Sequence, residues 1–300
     1  MLAIETVELT KVFGNFVAVN GINLRVKAGE NFGLLGPNGA GKTTTIRMIA
    51  GLIKPTKGEV RVFGIDVTRE RREALKVIGY MPQKFSLYED LTVEENVLLY
   101  ARLFGLSRAE AKERAKELLK RFLLWEFRNR LAGKLSGGMK QRLALSVSLV
   151  HDPKLLMLDE PTAGVDPPLR RKFWEFFREL NKEGKTILIT THYMDEAENC
   201  DRLALMSRGR IIAEGTPREI KRKAIGGDLV EIIAEGHVRL KADWVKSLEK
   251  RDGRFFALVD DAAVRIPQII KELEGQGIRV ISVAPVFVSL EEAFIRFLGG

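Results

Sequence analysis

Cysteine and long apolar runs are scarce in this sequence. There is one cysteine, Cys200, in 300 residues, which excludes an internal disulfide and a cysteine metal cluster and favours the cytosol. No apolar run reaches the roughly eighteen residues of a membrane-spanning helix. Residues 1–5 show no basic and then apolar leader. We therefore expect a protein that is neither secreted nor embedded in a membrane.

Charge is abundant but mixed in sign. The hydrophobic content is 45%, the charged content is 30% and the formal net charge is +9, a balance that would suit nucleic acid. Basic residues alternate with acidic ones, as in residues 69–73 (Arg-Glu-Arg-Arg-Glu), which is typical of a solvated surface. We expect no direct contact with nucleic acid, and anionic lipid headgroups explain the charge equally well.

A glycine-rich segment separates an apolar run, residues 31–35, from a helical pattern that begins near Lys42. It matches G-x-x-x-x-G-K-T in the strand-to-helix context that this phosphate-binding pattern requires. Its three glycines are expected to turn the backbone with positive φ and bring several N–H groups to one anion. Lys42 would meet the β- and γ-phosphates, and the Thr43 hydroxyl a Mg²⁺ ion. The predicted nucleotide-binding residues are Gly36, Pro37, Asn38, Gly39, Ala40, Gly41, Lys42, Thr43 and Thr44.

An acidic pair ends a second apolar run. Residues 155–160 read Leu-Leu-Met-Leu-Asp-Glu, which is typical of a buried strand in a parallel sheet, and ligands bind at the carboxyl ends of such strands. Asp159 is the expected ligand of Mg²⁺. Glu160, aimed differently, is the candidate to orient or deprotonate the attacking water. The pair changes the prediction from a nucleotide-binding protein to a hydrolase.

Residues 135–142, Leu-Ser-Gly-Gly-Met-Lys-Gln-Arg, form a second small-residue turn that opens a helix. A helix start of this kind is an anion site. The segment closely resembles the signature motif of ATP-binding cassette (ABC) ATPases, and the preceding motifs follow that family's order. The resemblance implies that Ser136, Gly137 and Gly138 serve ATP held by a partner, so that two cassettes form a homodimer with two nucleotides at the seam. Met139 stands where the family usually has glutamine.

Four further residues take their roles from the same resemblance. Gln83 resembles the glutamine that reaches the metal and the attacking water, and His192 the switch histidine that contacts the γ-phosphate. Asp166 lies in the loop that crosses the dimer seam in this family. Phe13 occupies the position of an aromatic that stacks on adenine, a role for which a phenylalanine ring suffices; a core aromatic is the alternative.

The pattern along the chain predicts an α/β fold of two domains. Residues 1–220 resemble the P-loop ATPase cassette, with a helical subdomain at about residues 84–150. Thr92 and Glu95 have the spacing of a helix capping box within it. After a basic connector, residues 221–228, short strands and helices predict a small α+β domain over residues 221–300, closed by a helix with a capping box at Ser289. This domain resembles, more weakly, the extension of exporter ATPases of the daunorubicin-resistance type.

The resemblance implies a subunit that binds ATP and Mg²⁺, hydrolyses ATP and drives a separate membrane permease, as an exporter, from the cytoplasmic face of the membrane. A paired-cassette translation factor would need a second phosphate loop, and a chromosome or repair ATPase a long heptad insertion. The sequence has neither. A soluble ABC-type ATPase with a regulatory or nucleic-acid-associated role stays open as the alternative.

Overall fold

The computed structural model describes residues 1–236 and 238–299 and divides into two compact units, Met1–Glu214 and Gly215–Gly300. The sequence pattern predicts a division after residue 220. The structure moves it to Gly215, because the helix Pro217–Ile225 contacts the closing helix Leu290–Gly299. The segment 221–228, predicted as a connector, is therefore helical as far as Ile225.

The first unit contains two sheets and seven helices that we number in chain order. Its strands are β1 (Leu2–Phe13), β2 (Phe16–Ile22), β3 (Arg25–Lys27), β4 (Asn31–Leu35), β5 (Lys57–Val62), β6 (Ile65–Asp66), β7 (Ile78–Met81), β8 (Leu155–Asp159), β9 (Thr186–Thr191), β10 (Arg202–Ser207) and β11 (Arg210–Gly215). Its helices are α1 (Lys42–Ile49), α2 (Arg71–Val77), α3 (Val93–Leu103), α4 (Arg108–Arg121), α5 (Gly137–Ser148), α6 (Pro167–Lys182) and α7 (Met194–Ala197).

The central sheet has the strand order β11-β10-β4-β9-β8-β7, and the five strands from β10 to β7 are parallel. Its buried residues alternate between two cores, as a period of two requires. Leu156 and Leu158 of β8 face the core shared with the helical region, and Leu155 and Met157 face the core shared with the antiparallel sheet. That second sheet has the order β2-β1-β5-β6, with β3 also paired to β1.

Helices α3, α4 and α5 form the helical region, which lies within the predicted range of residues 84–150. The predicted capping box at Thr92 and Glu95 is confirmed: each backbone N–H is bonded by the other side chain, at 2.8 and 3.2 Å. Such caps stabilise a helix by about 1 kcal/mol. Across the described ranges 1–236 and 238–299, none of the helices combines the length and apolarity that a membrane crossing requires.

In the residues that the structure describes, the second unit consists of an antiparallel sheet and three helices. Its elements are α8 (Pro217–Ile225), β12 (Asp228–Glu235), β13 (Val245–Arg251), β14 (Arg254–Val259), α9 (Ala262–Gly275), β15 (Arg279–Val286) and α10 (Leu290–Gly299). The strand order is β13-β14-β12-β15. The sequence pattern does not predict β13, an edge strand of mainly charged residues that is held by its pairing with β14 rather than by an apolar pattern. The capping box of Ser289 is confirmed by its bonds with Glu292 at 3.0 and 3.1 Å.

Candidate active site

The phosphate loop, residues 36–44, connects β4 to α1 at the carboxyl edge of the central sheet. Gly39 and Gly41 have φ of 79° and 106°, as predicted, a region that favours glycine. The prediction was wrong for Gly36, whose φ is not positive; a Cβ there would lie 2.2 Å from the carbonyl oxygen of Met206. Glycine is needed at that position because the backbone of β10 passes so close.

Lys42 lies at the start of α1 with 3% of its surface exposed. Its ammonium donates to the carbonyl oxygens of Gly36 and Pro37 at 2.8 and 3.1 Å. Gly41, the N-cap of α1, provides no side-chain cap, which leaves the first N–H groups of the helix to an external acceptor. The ammonium of Lys42 and the N-terminus of α1 thus meet at one loop, and such a combination of positive groups binds phosphate.

Asp159 is fully buried at the end of β8. Three hydroxyls bond its carboxylate: Thr43 at 3.0 Å, Thr190 at 2.7 Å and Tyr80 at 3.4 Å. Burial raises the pKa of Tyr80, so the phenol remains a donor at neutral pH. No local pattern in the sequence marks Thr190 or Tyr80, because their approach to Asp159 depends on β9 and β7 flanking β8.

Glu160 follows Asp159 and is 5% exposed. Its carboxylate oxygens lie 2.9 Å from Nε2 of Gln83, 3.1 Å from Nδ1 of His192 and 3.4 Å from Nζ of Lys42. The backbone of Glu160 has a φ of 49°. This conformation is uncommon for residues other than glycine and asparagine, and it is found at functional sites. The structure thus brings together the three residues predicted to be catalytic, Glu160, His192 and Gln83.

A cleft of about 360 Å³ opens above the phosphate loop. It is lined by Phe16, Ala18, Asn38, Gly39, Ala40, Gly41, Lys42, Thr43, Thr44, Gln83 and Glu160. Phe13, the predicted adenine contact, is 48% exposed and is not among them. Phe16 is 64% exposed and pairs directly with Phe13 across the β1–β2 hairpin. The sequence pattern assigns Phe16 no role, although its position directly after the two-residue turn Gly14–Asn15 of the hairpin was the available signal.

The second turn, residues 136–138, lies apart from this cleft. Ser136 and Gly137 are exposed, and Ser136 caps α5 through a bond from the N–H of Met139 at 3.4 Å. Asp166 is exposed at the start of α6 and makes no side-chain cap there. A Cβ on Gly138 would meet Leu169 of α6 at 2.1 Å, so the second turn and the Asp166 helix are neighbours.

Comparison with known proteins agrees with this geometry. The family model described as "ABC transporter" matches residues 19–163. The Nod factor export ATP-binding protein I of Rhizobium sp. (strain N33) is 41% identical over 99% of this chain and 97% of its own length. The chain belongs to the ABC transporter family. Within that family it is an ATP-binding ATPase cassette, with an additional unit after Gly215.

Two further similarities bear on the cassette. The probable multidrug ABC transporter ATP-binding protein YbhF of Escherichia coli is 45% identical over 81% of this chain, which spans only 42% of that longer relative. An ATP-binding cassette solved as a dimer in a post-hydrolysis state, bound to ADP and Pi, is 32% identical with a TM-score of 0.66. That similarity covers 71% of this chain and 98% of the solved one.

Proposed function

We propose that this cassette binds and hydrolyses ATP to drive a separate membrane permease, most simply in export. The observation that carries the proposal is Glu160: a buried carboxylate that contacts Gln83, His192 and the phosphate-loop Lys42 at once. A carboxylate held beside a triphosphate site can orient a water and accept its proton. A nucleotide-binding protein without turnover has no need of this arrangement.

Different residues of the cleft would bind the phosphates and the Mg²⁺ ion. The N–H groups at the start of α1 and the ammonium of Lys42 would hold the phosphates. Mg²⁺ fits the oxygen ligands that meet at the end of β8, because the hydroxyl of Thr43 and the carboxylate of Asp159 lie 3.0 Å apart and hard cations prefer such oxygens. The side-chain oxygen of Gln83 would be a further ligand of Mg²⁺. When bound, Mg²⁺ would neutralise charge on the phosphates.

Hydrolysis is assigned to Glu160 and His192. Glu160 would accept a proton from the attacking water, and its bond from Gln83 fixes the direction of the carboxylate. His192, whose ring nitrogen Nδ1 lies 3.1 Å from the carboxylate of Glu160, would contact the γ-phosphate. With a triphosphate in the loop, the ammonium of Lys42 would bind the phosphates in place of the Glu160 carboxylate, which now lies 3.4 Å from it, and the carboxylate would be free for the water.

A homodimer completes the site. Ser136 and Gly137 are exposed away from the cleft, so their anion-binding turn is available to ATP held by a second cassette, and Asp166 would lie at the same seam. Binding of two ATPs would close the seam and loss of phosphate would reopen it. The relative solved as a dimer supports this arrangement.

Coupling to a permease and the direction of transport rest on relatives. One is named a Nod factor export protein and another a probable multidrug transporter protein, and both names favour export. A peripheral position on the cytoplasmic face of the membrane follows from this role, as does the absence of a nucleic-acid partner.

The proposal is tested by phosphate release from the purified chain and by co-purification. We expect Mg²⁺-dependent release whose specific rate rises with protein concentration, because two chains are needed for one active site. Co-expression with the membrane-spanning products of neighbouring genes should recover a complex. A specific rate of phosphate release that does not depend on protein concentration would contradict the dimer. ATP hydrolysis by a chain that recovers no membrane partner would favour the soluble, non-transport alternative.

A further inference from the structure

Glu196 is a buried carboxylate that the steps above do not use. It lies in α7 with 2% of its surface exposed. Its oxygens accept bonds from the hydroxyl of Thr162, at 2.7 and 2.8 Å, and from that of Thr191, at 3.1 Å. Thr162 lies two residues after Glu160, and Thr191 directly precedes His192. Glu196 therefore ties the loop of the proposed general base to the segment of the histidine.

Arg170 reaches the same carboxylate from α6. Its Nε lies 3.3 Å from Oε1 of Glu196, and its Nη2 donates to the carbonyl oxygen of Val165 at 3.4 Å, in the loop before α6. Its guanidinium lies 4.3 Å from the centroid of the Tyr193 ring, and that ring lies 4.1 Å from the ring of His192. One side chain thus contacts both the loop at the predicted seam and the surroundings of the histidine.

The side chains of Arg170 and Glu196 lie close together, but Nε of Arg170 does not form a hydrogen bond with the carboxylate. In the part of the chain that the structure describes, the buried Nε has no hydrogen-bond partner although Oε1 of Glu196 lies 3.3 Å away. Hydrogen bonds weaken steeply when they are bent, so a small rotation at the start of α6 would turn this contact into a hydrogen bond. Burial raises the pKa of Glu196, whereas its bonds from Thr162 and Thr191 and the charge of Arg170 act to lower it.

We propose that Arg170 is a positioning residue that sets the location of His192 according to the position of the Asp166 loop, acting through Glu196 and Tyr193. The inference rests on the proposed ATPase, in which Asp166 faces the second cassette. Movement of that loop at dimer closure would carry the start of α6 and Arg170 with it. The histidine would then reach its working position only after the seam has formed, which couples hydrolysis to dimerisation.

The test is a double-mutant cycle on steady-state hydrolysis by the full-length chain. Arg170→Ala should lower kcat on the order of tenfold, while affinity for a fluorescent ATP analogue stays near that of the wild type, because Arg170 does not line the cleft. Asp166→Ala should cost much less in the Arg170→Ala background than alone, since both residues act along one path. Fully additive losses, or a wild-type kcat for Arg170→Ala, would overturn the inference.

Arg171→Ala is the matched control, because Arg171 is the exposed neighbour on the same helix and should keep the wild-type kcat. If Arg170→Ala leaves Glu196 buried without its cation and fails to fold, the double variant Arg170→Gln/Glu196→Gln removes both charges. That variant should fold, lose kcat and show no coupling to Asp166. A wild-type chain that does not hydrolyse ATP would overturn the proposed function, whereas active wild type with an unaffected double variant overturns only this inference.

Discussion

The two glycine-containing turns of the cassette open their helices in a similar way but differ in completeness. The phosphate loop has a buried cation, Lys42, and lies beside Asp159 and Glu160. Ser136 and Gly137 of the second turn are exposed, and Lys140, two residues after the turn, is engaged 2.7 Å from Glu89. The first turn therefore has binding and catalytic groups in one chain, whereas the second offers mainly backbone and a serine.

This difference teaches that anion binding and catalysis are separable in one fold. The phosphate loop lies at the edge of the parallel sheet where the strands end. Residues at or just after these strand ends supply the carboxylates of Asp159 and Glu160, the amide of Gln83 and the imidazole of His192. The second turn lies in the helical region, away from those strand ends. A helix N-terminus alone attracts an anion, but chemistry needs positioned acids and bases. Variants of the two turns should therefore have different consequences, and these can be ordered by size.

The largest effect is expected for Lys42→Ala. It removes the buried ammonium from the phosphate loop and leaves Glu160 without its ion pair at 3.4 Å, so ATP affinity should fall on the order of 100-fold or more, since bonds to charged groups are strong. Titration with a fluorescent ATP analogue at millimolar Mg²⁺ measures it. Lys57→Ala, at an exposed position, is the control, and undiminished binding by Lys42→Ala would show that the loop is misassigned.

Glu160→Gln should separate turnover from binding. The amide keeps the size of the side chain and its contacts with Gln83 and His192 but cannot accept the proton of water, so kcat should fall about 100-fold or more with ATP affinity retained. A sizing column run with ATP should show a dimer that accumulates. Hydrolysis at the wild-type rate, or a variant that stays monomeric with ATP, would count against the assigned role.

Gly137→Ala addresses the second turn. A Cβ there would meet nothing within 4 Å in the chain, and alanine suits a helix better, so the free energy of unfolding should stay equal or rise by under about 1 kcal/mol. Hydrolysis should nevertheless fall on the order of 100-fold, because the methyl group blocks the approach of a phosphate held by the partner. Gly275→Ala, at the end of α9 and equally open, is the control: its free energy of unfolding should likewise stay equal or rise by under about 1 kcal/mol, and hydrolysis should not change.

Phe16→Ala should weaken ATP affinity about three- to tenfold, the usual size of an aromatic contact. Phe16 lines the cleft and Phe13 does not, so Phe13→Ala should have the smaller effect. The same nucleotide titration compares the two variants. A larger loss for Phe13→Ala would restore the sequence-based assignment and show that the hairpin turns when adenine binds.

Truncation after Gly215 should have the smallest effect on nucleotide binding. The cut keeps β11 and removes the second unit, which has its own buried core of nine residues in the described chain. ATP affinity of the monomer should stay within about twofold, whereas the dependence of hydrolysis on protein concentration should shift if the unit adds interface. Loss of ATP binding would show that the two units do not fold independently.

The sequence by itself determined the local chemistry of the site. The phosphate loop, the acidic pair after β8 and the capping boxes of α3 and α10 are patterns of adjacent residues, and adjacent residues keep their spacing in any fold. The sequence also indicated the second unit, but not α8 or the edge strand β13. Both depend on neighbours in space more than on their own apolar pattern.

Only the tertiary structure decided how these parts meet. β9 lies between β4 and β8 in the sheet although it follows β8 in the chain, and this order brings His192 beside Glu160. It also places the Thr190 hydroxyl on Asp159 at 2.7 Å. The contact of Arg170 with Glu196 and the need for glycine at position 36 likewise arise from segments distant in sequence. Their physical reason is close packing of strands and helices, which no local pattern of residues specifies.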